Sequence, residues 1–373
     1  MRRNLVALAA VGLLCVGGLT ACTDDDDSGT TAAQARRASG TGKVGVILPD
    51  TTTSQRWGSD DPKLLKAAFD AAEVPVEIEN ANGDPGNFQR IGDRMIAEGA
   101  TVLIIANLDP ASGQYVLDKA REAGVKTIDY DRLTLNGGAD YYVSFDNVQV
   151  GKFQGQGLIR CLQEKKVDKP RVVYLNGALT DNNALLFKEG YNSVLQPKYD
   201  DGSFLKGPDQ FVDKWDNKEG RTIFIEMMTQ FNNEIDGVLA ANDGLGNAAI
   251  SVLRERKRNG KPMNGAVPVT GQDAETQGLQ NILAGDQCMT VYKPFKKEAD
   301  AAARLAISLY KGEQARADER VKDPESGAYV PSVLLDPIPV YKENVRDVIK
   351  DGFATKKAVC AGRFAPMCQA AGI

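Results

Sequence analysis

Histidine is absent from all 373 residues. That removes Ser/His/Asp and Cys/His nucleophilic sites and every His-ligated metal centre from consideration. Long apolar runs are also missing after the first segment: nothing later approaches the about 20 apolar residues that span a bilayer, so the body reads as soluble. No basic run or basic helix face stands out and the formal charge is −5, which leaves nucleic acid without a footprint. There is no Walker A sequence and no G-x-G-x-x-G after a first strand, so no cofactor is expected.

What is present begins with an export signal. Arg2 and Arg3 precede an apolar run from Leu5 to Leu19, which is too short to cross a membrane comfortably. Leu19-Thr20-Ala21-Cys22 then looks like a lipobox, in which the cysteine is lipidated and becomes the first mature residue; the alternative is ordinary secretion with a chance cysteine. Residues 1–21 are thus read as the signal, and 22–42 as the lipidated cysteine and a disordered tether of small and polar residues. A chain of that length reaches only about 25 Å, so the folded body would work near the outer face of the cell membrane, held by its lipid alone.

Six cysteines occur, of which Cys15 leaves with the signal and Cys22 takes the lipid. Cys161, Cys288, Cys360 and Cys368 remain, an even number in an oxidising compartment. Nearness favours a Cys360–Cys368 bridge, although connectivity does not follow from spacing; for Cys161 and Cys288, isolated buried thiols and a disulfide are equal alternatives.

From Lys43 onward about 330 residues remain, enough for two cores. Short apolar runs at 44–49, 74–78, 102–105, 125–130 and 141–145 alternate with amphipathic stretches such as 89–98 and 116–123. The pattern returns at 172–175, 235–239, 267–270 and 289–292, with a helical stretch at 183–195. Alternation of this kind predicts an α/β fold with parallel sheets covered by helices, here in two similar lobes, the second beginning with a helix over 148–163.

Polar residues gather just after the strands, where open α/β sheets place ligands: Asp50, Asp131 and Arg132, Asp181 to Asn183, Asn242 and Asp243, Gln272 and Asp273, and Lys293. Each alone could be a helix cap worth about 1 kcal/mol. Together with Arg56, Trp57 and Trp215 they mix carboxylates, amides, cations and aromatic faces. Such a mixture suits a neutral sugar, whose buried hydroxyls each need a donor and an acceptor. Paired carboxylates also serve glycoside hydrolysis, but the nearby cations should keep them ionised and deny the site a general acid, so no enzyme is expected.

Seven segments then carry a family resemblance. They are Gln55 to Trp57, Tyr130 to Leu133, Tyr142 to Asn147, Thr180 to Ala184, Ala241 to Asp243, Gly271 to Ala274 and Met289 to Pro294. In order and across nearly the whole mature chain, they resemble the periplasmic D-xylose-binding proteins of ABC importers. The resemblance implies a type I periplasmic-binding fold, two Rossmann-like lobes joined by three crossings near residues 146–147, at 293–295 and between 311 and 331. It implies lobes of 43–146 with about 294–322, and of 147–293 with about 323–373. It also implies ligand contacts from Arg56, Trp57, Asp131 and Arg132 in the first lobe, and from Asp181, Asn183, Trp215, Asn242 and Asp273 in the second, with Lys293 at a crossing. A monosaccharide ligand, an importer permease as partner and a monomeric state follow. The lipid anchor, Cys161 and Cys288 depart from the family pattern. Repressors of the same fold carry a helix-turn-helix at the front, where this chain has a signal; a receptor-coupled sugar sensor remains an alternative.

Overall fold

Strands and helices alternate through the chain in a computed structural model that describes residues 31–373. The expected signal, Cys22 and the first part of the tether lie outside the described residues. Within them, no helix is long and apolar enough to cross a membrane. The last part of the expected tether is ordered: helix α1 (Ala32–Ser39) forms there. Thr31 and Gln34 exchange backbone-to-side-chain hydrogen bonds at 2.7 and 3.2 Å, a capping box at the head of an alanine-rich turn, and Ala33 is buried.

The first lobe is built from β1 (Lys43–Leu48), α2 (Asp61–Ala71), β2 (Val76–Asn80), α3 (Pro85–Ala97), β3 (Ala100–Ile105), α4 (Pro110–Glu122), β4 (Lys126–Tyr130) and β5 (Tyr141–Phe145). All six residues of β3 are buried, as expected of a central parallel strand with helices on both faces. The chain then enters the second lobe through α5 (Asn147–Glu164), β6 (Arg171–Asn176), α6 (Asn182–Asp200), β7 (Leu205–Phe211), α7 (Asn217–Gln230), β8 (Gly237–Ala240) and α8 (Asp243–Glu255). A small hairpin, β9 (Lys257–Arg258) and β10 (Lys261–Pro262), precedes α9 (Thr276–Ala284) and β11 (Thr290–Tyr292). Helix α10 (Phe295–Tyr310) returns to the first lobe with β12 (Glu319–Lys322) and β13 (Tyr329–Leu335), and β14 (Ile338–Val340) lies back in the second.

The first sheet has the order β12-β13-β5-β4-β3-β1-β2, with only β12 antiparallel. In the second lobe β7-β6-β8 extends by a bridge from Val238 to Val269. Backbone bonds from Asp273 to Val291 and from Val291 to Gly271 then join it to β11 and β14. Both lobes therefore reverse strand order between their first and third strands, which opens a crevice at the carboxyl ends. Helices α5 and α6 pack backbone to backbone: a Cβ on Gly190 would lie 2.1 Å from the Val148 carbonyl oxygen.

One expectation is corrected here and one open question is closed. Strand β13 pairs in parallel with β5 from Ser332–Tyr142 to Leu335–Phe145, so residues 323–335 belong to the first lobe. The third crossing is consequently the short step from Leu335 to Ile338, not a point before residue 331. It runs beside the first, since the Asp146 N–H donates to the Leu335 carbonyl at 3.0 Å. The Cys360–Cys368 bridge is present as expected and closes a short loop near the carboxyl terminus, whereas Cys161 and Cys288, left open between thiols and a bridge, form a disulfide that ties α5 to the segment before β11.

Candidate binding site between the lobes

Arg56 lies in a short turn ahead of α2 with 1 % exposure. Its Nε and Nη2 donate to Asp61 at 2.9 and 2.8 Å, Nη1 to Asp131 at 2.6 Å, and Nη2 also to Glu298 at 2.6 Å. Four of its five N–H groups are thereby used, leaving one on Nη1. The guanidinium is sandwiched between Trp57 and Phe295, each ring centroid 4.1 Å away. Arg56 thus organises the floor of the crevice and has little left for a ligand.

Asp131 follows β4 with a positive φ of 62°, which turns its carboxylate into the crevice. Burial alone would raise its carboxyl, but Arg56, and then Lys293 and Arg132, outweigh burial and hold it well below the usual range. Lys293, on the second crossing, sits 3.4 Å from Asp131 and 3.3 Å from Asp273, and these two carboxylates overcome its burial to keep it charged. Asn183, from the second lobe, donates to the Asp131 carbonyl at 2.9 Å, while its own oxygen accepts from Asn147 at 2.9 Å.

The outer side is closed by Arg132, Asp181 and Trp215. Arg132 Nε stands 3.1 Å from Asp181 Oδ2 without the alignment of a hydrogen bond, and Trp215 Nε1 donates to the same oxygen at 3.1 Å. Burial raises the Asp181 carboxyl against the opposing pull of Arg132. Expectation and structure differ here, because the cations keep Asp131 ionised but do not dominate at Asp181. Asp181 and Asn242 are also the caps of α6 and α8, accepting from Asn183 and Leu245 N–H groups. The bland and the functional readings of these residues are therefore both satisfied by one side chain. Asp243, in contrast, is buried behind the crevice, held by Gln287, Thr290 and the Glu275 N–H.

All ten residues expected to meet a ligand line one small cavity: Arg56, Trp57, Asp131, Arg132, Asp181, Asn183, Trp215, Asn242, Asp273 and Lys293. Thr53, Ser54, Phe187 and Gln272 complete it and had not been singled out as contacts. Phe187 was findable, since it lies four residues after Asn183 on one helix face. Arg132 Nε, Gln272 Oε1 and Asp273 Oδ1 are buried there without a hydrogen-bond partner. Arg132 Nε and Asp273 Oδ1 are held only by their ion pairs with Asp181 and Lys293, and the amide oxygen of Gln272 by neither; a buried polar atom without a partner costs about 1–3 kcal/mol, and a ligand carrying hydroxyls would supply the missing hydrogen bonds. Across the crevice the lobes also touch directly, where Glu275 accepts from Ser54 Oγ at 2.9 Å and from the Gln55 N–H at 3.0 Å.

A family model described as a periplasmic binding protein domain matches residues 44–314. The chain belongs to the periplasmic binding protein family. Among relatives of this periplasmic binding protein, the D-xylose-binding periplasmic protein of Escherichia coli K12 is 36% identical over 315 residues, 83% of this chain and 90% of the relative. The D-xylose-binding periplasmic protein of Haemophilus influenzae is 35% identical, over 85% of this chain and 92% of its own. A solved ABC transporter solute-binding protein from Clostridium phytofermentans, with bound β-D-glucose, superposes with a TM-score of 0.76 at 25% identity, covering 85% of this chain and 99% of the other. The likeness to this solved solute-binding protein agrees with the two-lobed type I periplasmic-binding architecture of this chain.

Proposed function

We propose that this periplasmic binding protein captures a neutral monosaccharide, D-xylose above other aldoses, and delivers it to the permease of an ABC importer. The observation that carries the reading is the single cavity in which carboxylates, amides, cations and two indoles from both lobes converge, three of its buried polar atoms without a hydrogen-bond partner. Asp131, Asp181 and Asp273 supply acceptors, Arg132 and Lys293 donors, Asn183 and Asn242 either. Trp57 and Trp215 cover the C–H faces of the ring. Relatives named for D-xylose support a pentose, while the glucose-bound neighbour makes the discrimination between pentose and hexose a matter of cavity shape. Both lobes contact the sugar, so its affinity for the closed arrangement drives closure about the three crossings. The Cys22 lipid would retain the protein at the outer face of the membrane, with no other membrane contact. Calorimetry of residues 23–373 against a panel of aldoses tests this: D-xylose is expected as the tightest ligand, and a tightest ligand outside the monosaccharides would sink it.

A further inference from the structure

The sugar cavity is tight: about 30 Å³ stays free between its side chains, the room of about two waters. A monosaccharide is therefore seated only as the walls give way around it, and a larger one needs a wall with space behind it. Most walls have none. The floor is Arg56, backed by the fully buried Asp61 and Glu298. The second-lobe side is backed by Asp243, held by Gln287 and Thr290, and Lys293 closes the side of the crossings between Asp131 and Asp273. Beyond Thr53 and Ser54 an open groove begins, but Glu275 latches that side across the lobes. One wall differs. Thr53, Arg132, Asp181 and Trp215 line both the sugar cavity and an outer cavity of about 550 Å³. The bulk of that partition is the Trp215 indole.

The indole is fixed entirely from its own lobe. Lys214 and Trp215 have φ values of 50° and 58°, a region that bulky residues rarely occupy. Nε1 donates to Asp181 at 3.1 Å, and the ring meets Phe187 edge-on at 6.4 Å between centroids. The six-membered ring lies against Gly177, where a Cβ would stand 2.0 Å from Cζ2, so any other residue at that position would displace it. Strain held in place on several sides is a feature of ligand clamps. A ring braced in this way does not yield to added bulk, although free space lies behind it. With the ring cut back, the sugar cavity would open into the outer one.

We propose that Trp215 is the specificity-determining residue of the sugar site: braced in the partition, it leaves no place for the hydroxymethyl group that a hexose carries on C5, and so selects aldopentoses. This rests on the monosaccharide reading of the site. D-xylose and D-glucose match at every ring hydroxyl and differ in that one group, so the ratio of their affinities reports on the wall. Calorimetry with the full chain in detergent compares them, with 6-deoxy-D-glucose as a third ligand that carries a methyl group there. Wild type should bind D-xylose at least about tenfold more tightly than either hexose. Trp215→Phe and Trp215→Leu should weaken D-xylose binding yet lower its preference over D-glucose by at least about fivefold, leucine more than phenylalanine. Trp57→Phe, which trims the ring stacked on Arg56, should weaken both sugars and keep the ratio within about twofold. A ratio unchanged in both Trp215 variants, lowered as far by Trp57→Phe, or near unity in wild type overturns the proposal. Binding of 6-deoxy-D-glucose as tight as that of D-xylose also overturns it, since bulk would then not be what the wall excludes. Loss of every sugar from both Trp215 variants refutes it as well, because a wall that only excludes is not needed to hold glucose. All of these outcomes leave the monosaccharide reading standing; a wild type that binds none of the three sugars overturns that reading itself.

Discussion

Glu275 does not line the sugar cavity, yet it should set how sugar affinity depends on pH. Its carboxylate is the second lobe's grip on Ser54 and Gln55, and burial there, reinforced by Asp273, pushes its carboxyl up to about 7. In an open form the side chain faces water and returns to an ordinary glutamate value near 4.3. Closure therefore takes up a proton, and the closed form is favoured as pH falls. The benefit is complete below the open-form value and is lost as pH rises through about 7. One pH unit between the two values corresponds to about 1.4 kcal/mol, which gives a ceiling of about 3–4 kcal/mol. Glu275 keeps some contact with solvent. About half the ceiling, or roughly tenfold in affinity, is thus the reasonable expectation between pH 8 and pH 5. Neighbouring groups do not cancel it: Asp131 stays ionised throughout, and Glu298, pushed up to about 8 by burial, remains beside Arg56 within one lobe. Asp181, raised by burial, acts in the same direction. Calorimetry with D-xylose across pH 5 to 8 should show affinity rising as pH falls. Glu275→Gln, which mimics the protonated side chain, should bind more tightly than wild type at pH 8 and lose most of the dependence above pH 6. An affinity that is flat or falls on acidification in the wild type would refute the reasoning, as would a variant that titrates unchanged.

Arg132→Ala should weaken D-xylose binding by at least about 2 kcal/mol, because it removes donors and leaves Asp181 without its counter-charge in a closed site; affinity within twofold of wild type would assign Arg132 a surface role. Adding D-xylose should change intrinsic fluorescence, with Trp57→Phe and Trp215→Phe each removing part of the change. Calorimetric binding with flat emission would take both rings out of the pocket. Replacing Cys161 and Cys288 together by serine opens a span of 127 residues and should cost about 2–5 kcal/mol in denaturant unfolding while D-xylose affinity stays within twofold. Cys22→Ala should release the protein from membranes in detergent partitioning with sugar binding intact; a wild-type chain that takes up no acyl label would refute lipidation.

The two lobes were legible because buried parallel strands are continuous apolar runs, and β3 and α5 lie within a residue or two of where the pattern put them. Strand β7 was not: Leu205–Phe211 is an edge strand with a glycine, a proline and charged residues, half of it open to solvent. The expected strand at 267–270 shrinks to one bridge at Val269, since Pro268 cannot donate to a ladder. Strand β13 was placed in the wrong lobe because its partner β5 is 190 residues away, a pairing that no local pattern marks. In the crevice, cap residues after strands could be read one by one. What could not be read were the groups that hold them. Glu298 meets Arg56 across 242 residues and Glu275 meets Gln55 across 220, and the sequence around each glutamate looks like an ordinary helix start.

The Cys161–Cys288 bridge has a mechanical consequence. Helix α5 leaves the first crossing and β11 enters the second, so the disulfide fastens to each other the two segments on which the second lobe swings. Neither can slide or splay independently of the other. A twist applied at the crevice mouth is therefore taken up at the backbone torsions of the crossings, at Asp146 and Asn147, at Lys293 and Pro294, and from Leu335 to Ile338, and the lobe moves toward its partner as one piece.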